Sequence, residues 1–182
     1  EIAPNKSYKK MFLDKKGQQR KMLSRDGALA VGVPGLVQGI LAVHSKYGSL
    51  PLDIVMKPAI DLANDGFVIY PALGVALKAK KDVLGKYKSS KKIFFDKSGQ
   101  PLKAGELLVQ KDLANTLKII AKKGASGFYR GMVAKNIVKT IQKYNGLMSM
   151  KDLRGYKMKM RMPLFGNFNG YDIVSMPPPS SG

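Results

Sequence analysis

The side chains of this sequence that could open covalent chemistry are the hydroxyls of Ser180, Ser181, Thr116 and Thr140 and the imidazole of His44. A hydroxyl attacks only when a neighbouring base can take its proton. Ser180 and Ser181 stand in a terminal tail with no base near them in sequence, and Thr116 and Thr140 fall inside segments of helical periodicity. His44 is the single histidine, which excludes histidine-based metal clusters and weakens any Ser-His-Asp arrangement. Cysteine is absent, so disulfides and thiolate-ligated metals are excluded as well. Gly32-Val-Pro-Gly35 lacks the spacing of a phosphate loop, and Pro34 removes an N–H that such a loop needs. Asp53, Asp61, Asp65, Asp82 and Asp112 sit at helix ends or surfaces and form no evident acid–base pair. These residues by themselves give no reaction, no metal site and no cofactor site.

The formal charge of +20 raises a second possibility, a lysine-rich module that binds nucleic acid or an anionic surface. Only Arg20, Arg25, Arg130, Arg154 and Arg161 are arginine, whereas base and phosphate recognition leans on the guanidinium fork. The lysines are spread along the whole chain, and the densest run, Lys78 to Lys92, carries Tyr87 as its aromatic residue. A solvated lysine surface explains this better than specific nucleic-acid recognition. No segment approaches about 18 consecutive apolar residues, so none is expected to span a membrane. Glu1 is not followed by a charged-then-apolar leader, so a signal peptide is expected upstream or not at all.

The elements that must position these groups follow from periodicity. Gly32-Val-Pro-Gly35 opens a helix with Leu36, Gly39, Ile40 and Val43 on one face, His44 in the last turn and Gly48 as its stop. At that place a hydrogen-bonding ring suits exposed carbonyls, a structural role for His44. Pro51 starts a second helix, in which Leu52, Val55, Met56, Ala59, Ile60 and Ala63 form one buried stripe. Pro58 predicts a kink or break inside it, and Asn64-Asp-Gly66 ends it. Further helices are predicted from Pro71 to about Leu84, from Gln110 to Lys123 with Leu113, Leu117 and Ile120 inward, and from Gly131 to Tyr144 with Val133, Ile137 and Ile141 inward. Residues 14–27 read as an exposed loop, Ile93-Phe-Phe95 as a short strand, and Asp96 to Gly99 as a turn. Ser149-Met-Lys-Asp152 has the spacing of a capping box. The period then changes: Tyr156, Met158, Met160 and Met162 alternate with charged residues as in a half-buried strand. Asn169-Gly170 predicts a hairpin turn between a strand near 163–168 and one at Tyr171 to Ser175. The expected organisation is a single partial domain over 1–182, helical over about 30–155, with a β-unit over about 156–176.

Several segments, in order along the chain, go further. Glu1-Ile-Ala-Pro4 followed by Met11-Phe-Leu-Asp14, Ala30-Val-Gly-Val-Pro-Gly35 with Gly39, and Tyr47-Gly-Ser-Leu-Pro-Leu52 form the first part of the series. Pro58-Ala-Ile-Asp-Leu-Ala63 with Gly66-Phe67, Gly127-Phe-Tyr129 with Gly131, Asp152-Leu153 with Tyr156, and Met176-Pro-Pro-Pro-Ser-Ser-Gly182 complete it. Together they resemble the large subunit of the γ-glutamyltranspeptidases. The resemblance implies an α/β fold, the αββα sandwich of the N-terminal-nucleophile hydrolases, of which this stretch would be a mainly helical part ending in a β-hairpin unit. It implies a precursor that cuts itself into two subunits. The exposed threonine of the small subunit then attacks the γ-glutamyl amide of glutathione, and the acyl group passes to water or to an amino acid or peptide. The free α-amine of that threonine can serve as base, which removes the need for a histidine. On this resemblance the nucleophile and the oxyanion donors lie beyond Gly182, and the arginine that grips the substrate α-carboxylate directly precedes Glu1. No catalytic residue is then expected within the chain. Glu1 alone carries over, onto a position beside the substrate pocket. The resemblance further implies no cofactor, the small subunit as partner, and a periplasmic or extracellular location.

Overall fold

The computed structural model describes residues 2–20 and 22–178. It is a mixed α/β structure dominated by helix. After a turn-rich N-terminal stretch and a 3-10 turn at Ala28–Ala30 come α1 (Leu36–Tyr47), α2 (Leu52–Asp65), β1 (Phe67–Val68), α3 (Pro71–Ala79), α4 (Lys81–Leu84) and α5 (Lys88–Phe94). Then follow β2 (Leu107–Leu108), α6 (Lys111–Tyr129), α7 (Gly131–Lys143), α8 (Met150–Gly155), β3 (Leu164–Phe168) and β4 (Tyr171–Ser175).

Helix α6 is the centre of the arrangement, packing against α1, α2 and α7. Its residues 111–123 end where Gly124 turns out of helical geometry (φ 58°, ψ −145°), a conformation open almost only to glycine, and a second segment runs on to Tyr129. The kink re-aims the chain so that Tyr129 enters a core formed with Val33, Ala134, Val138, Met148 and Leu153. A second, smaller core gathers Ile69, Leu77 and Leu108 beneath α3 to α5 and the two-residue ladder of β1 with β2. Strands β3 and β4 pair antiparallel from Leu164↔Ser175 to Phe168↔Tyr171, closed by the Asn169-Gly170 turn, with both of those residues at positive φ.

Most predicted helices stand where periodicity placed them. Ile93 and Phe94, in contrast, belong to α5 and not to a strand. Tyr87, Ser90, Ile93 and Phe94 are the half-buried positions, a helical spacing, and Ile93 and Phe94 pack onto the second core, which overrides their β-propensity. Phe95 keeps only a single antiparallel bridge to Pro101. The break expected at Pro58 does not occur, because α2 runs through it. Pro58 and Ile54, whose carbonyl loses its bond there, are both exposed, so water can take the vacant acceptor.

Two further corrections concern burial. In the α2 stripe only Ala63 is fully buried, while Val55 and Ala59 are exposed. In α6 the buried residues are Ala114, Ile120, Gly127 and Tyr129, whereas Leu113 is 42% exposed. Residues 156–163 form no strand: Met160 and Met162 are 74% and 79% exposed, and among the described residues no strand pairs with them. Alternation marks a chain able to sit in a sheet, but a ladder also needs a partner.

Candidate functional site

The N-terminal segment is held against the main core by contacts from opposite ends of the sequence. The Val33 N–H donates to the Ile2 carbonyl at 2.9 Å. Pro4 is buried between these ties and its carbonyl accepts the Ser7 N–H at 2.9 Å, closing a β-turn. The Asn5 N–H donates to Asp152 Oδ1 at 2.7 Å.

Asp152 is the third residue of α8, and its other oxygen completes the capping box predicted for that helix. Oδ2 accepts the Ser149 N–H at 2.7 Å and the Ser149 hydroxyl at 2.6 Å. The residue is only 6% exposed. Burial, the largest single influence, pushes the carboxyl pKa up, but the bonds from the Ser149 hydroxyl and from the Asn5 and Ser149 amides together hold it below the usual carboxylate value.

Tyr129 supports the other wall. Its hydroxyl donates to the Pro34 carbonyl at 2.7 Å and accepts the Gln38 N–H at 3.2 Å. Gln38 lies in the first turn of α1, where the N–H groups have no partner within the helix, and Gly35 as N-cap has no side chain to supply one. Tyr129 therefore caps α1 from a distant part of the chain. Burial of the phenol raises its pKa, opposed by the Gln38 N–H and reinforced by Tyr156. The Tyr156 ring stacks on Tyr129 with centroids 5.7 Å apart and planes 3° from parallel. A methyl group at Gly35 would run into the Tyr156 hydroxyl, so any side chain here would push the Tyr156 ring aside. The Met158 N–H then donates to Gln38 Oε1 at 2.9 Å, leading the chain past the start of α1.

Two small clefts open here. One of about 240 Å³ lies between Ile2, Asn5, Val33, Lys151, Asp152, Gly155 and Tyr156. The other, of about 260 Å³, lies between Ile2, Gly35, Gly39 and residues 156–159 with Arg161, so Lys157, Lys159 and Arg161 give it a cationic wall. Such a wall suits a carboxylate. It does no acid–base chemistry alone.

The other candidates have local roles. His44 Nε2 lies 2.9 Å from the Leu50 carbonyl and ties the end of α1 to the following loop. Thr116 Oγ1 donates to the Asp112 carbonyl one helical turn back. Ser98 and Ser149 have carboxylate partners, Asp96 and Asp152, but in a turn and a helix cap. Asp61 pairs with Lys57 at 2.5 Å on an exposed helix face. Among the described residues no three His, Cys, Asp or Glu side chains converge as a metal would require, and no helix is long and apolar enough to cross a membrane. Glu1, Ser180 and Ser181 lie outside the described residues. Sequence reading missed the Asn5–Asp152 bond and the Tyr129 cap; Ser149-x-x-Asp152 and the Gly-Phe-Tyr129 motif marked one end of each.

The family model described as Gamma-glutamyltranspeptidase matches residues 1–182. The chain belongs to the gamma-glutamyltranspeptidase family. It is 44% identical to the glutathione hydrolase proenzyme of Escherichia coli (strain K12), aligned over all of this chain and 31% of that protein. It is similar to the crystal structure of Helicobacter pylori gamma-glutamyltranspeptidase, with a TM-score of 0.96 and 47% identity over all of this chain and 52% of that one. The Bacillus anthracis transpeptidase CapD matches 84% of this chain at 43% identity and a TM-score of 0.75. The chain thus spans about a third of the length of the curated glutathione hydrolase proenzymes it matches.

Proposed function

We propose that this chain is part of a γ-glutamyl acyl-transfer enzyme acting on glutathione and related γ-glutamyl amides. The observation that carries this reading is the match to glutathione hydrolase proenzymes and to a gamma-glutamyltranspeptidase structure over the full 182 residues. The described residues supply scaffold and a cationic wall, and no hydroxyl among them is poised on a free base. The family resemblance assigns the nucleophile to a part of the protein outside this chain, as the N-terminal threonine of a small subunit released by self-cleavage of a proenzyme.

In that reaction the threonine hydroxyl attacks the γ-carbonyl carbon while the threonine α-amine takes its proton. The tetrahedral oxyanion collapses, the C–N bond breaks, and the proton passes to the departing amine of the remaining dipeptide. Water then attacks the γ-glutamyl ester to give glutamate, or an amino acid or peptide amine attacks it to give a new γ-glutamyl amide. Glu1 is assigned to the rim of the substrate pocket, next to a preceding arginine that grips the α-carboxylate. A periplasmic or extracellular location and a two-subunit assembly accompany this reading.

The test is the full-length protein incubated with glutathione, with released glutamate and γ-glutamyl products quantified. Turnover that is lost when the N-terminal threonine of the small subunit is replaced supports the reading. A full-length protein that leaves glutathione intact overturns it.

A further inference from the structure

We propose that Asp152 is a positioning residue for substrate binding, holding residues 2–5 in place through its bond to the Asn5 amide. This rests on the reading given above, in which the pocket rim lies at Glu1. A capping box needs only one oxygen of the N3 carboxylate, and here Oδ2 alone serves both Ser149 donors. Oδ1 is not needed by α8. It is committed instead to a backbone amide 147 residues away in sequence.

Burying a carboxylate costs more than leaving a cap at the surface, and that cost is offset only when its oxygens are all bonded. The Asn5 bond completes this set. With the Val33 bond to the Ile2 carbonyl, it fixes the short run of residues 2–5 at both ends, with Pro4 buried between them. The same Val33 precedes Pro34, whose carbonyl is held by Tyr129. Residues 2–5 are thus registered against α8, α1 and α6 together. Loss of the Asn5 bond would free this run while leaving the helices capped and packed.

Asn5→Pro in the full-length protein isolates the bond. Asn5 is the second residue of the Pro4–Ser7 turn, a position that favours proline, so the substitution keeps the turn and replaces the N–H with a ring carbon that cannot bond Oδ1. The expected result is a KM for glutathione raised about tenfold with kcat held within about twofold, the signature of lost uniform binding. Ser149→Ala removes a donor from Oδ2 and leaves the Asn5 bond, so its KM should stay within about twofold of the parent. An unchanged KM in N5P, or an equal rise in S149A, overturns the proposal.

Amide hydrogen exchange gives a second reading that does not depend on turnover. The Asn5 amide should be protected in the unsubstituted protein and exchange freely in Asp152→Ala. A freely exchanging Asn5 amide in the unsubstituted protein overturns the latch itself, even if N5P fails to fold. If the unsubstituted protein does not turn over glutathione, the functional reading fails and the substrate-binding role fails with it, while exchange still decides the latch.

Discussion

The Tyr129 hydroxyl bridges the Pro34 carbonyl and the Gln38 N–H, so one phenol from the end of α6 fixes the start of α1. Tyr129→Phe keeps the ring and its stack on Tyr156 but leaves a first-turn N–H and a carbonyl without their partner. The expected loss in unfolding free energy of the full-length protein is about 1–3 kcal/mol, read by denaturant titration. A loss no greater than that of an exposed substitution such as Lys139→Ala would show that water replaces the hydroxyl without penalty.

The lowered pKa of Asp152 makes a prediction of definite sign. A carboxyl depressed in the folded state contributes stability that is fully present above its unfolded value, about 3.9. That contribution falls away as pH drops below the unfolded value and through the lower folded one. Unfolding measured from neutral pH down to about pH 3 should show this loss. Asp152→Asn should be less stable at neutral pH and should lack that part of the acid dependence. An identical pH slope in the two proteins would contradict the assignment.

A groove of about 670 Å³ between α1, α2 and α6 is lined by Leu36, Ile40, Val43, Leu52, Val55 and Leu117, among others. Leu36, Ile40 and Val43 are 74%, 55% and 61% exposed. On the reading proposed above, apolar surface of this extent is covered in the full-length protein. The isolated 182-residue chain should bind a hydrophobic dye and self-associate despite its net charge of +20. Ile40→Glu with Val55→Glu should reduce both effects in the isolated chain and lower the yield of folded full-length protein. A monodisperse, dye-negative isolated chain would refute this.

How much the sequence disclosed depended on whether a contact was local. The helix stops at Gly48 and Gly66, the Ser149–Asp152 box and the Asn169-Gly170 hairpin turn all arise within a few residues and were legible. Leu113, the α2 stripe and residues 156–162 were misjudged because periodicity marks which face is apolar but not whether something covers it. Ile93 and Phe94 were misassigned because tertiary packing outweighed their local preference. The supports of the site, Asn5 to Asp152 and Tyr129 to Pro34, join residues 147 and 95 positions apart, beyond any local pattern. The functional reading came from motif resemblance, because no reactive group in these residues announces the chemistry.

If this chain frames an acyl transfer whose nucleophile lies elsewhere in the protein, the acyl group must be carried on a residue outside it. The most direct measurement mixes the processed full-length protein with a γ-glutamyl anilide, quenches it within the first turnover, and maps the covalent γ-glutamyl adduct by peptide mass spectrometry. The account predicts a stoichiometric burst of aniline and an ester on an N-terminal threonine outside residues 1–182. An adduct on a serine, threonine or lysine within residues 1–182, or turnover by the isolated chain, would contradict it.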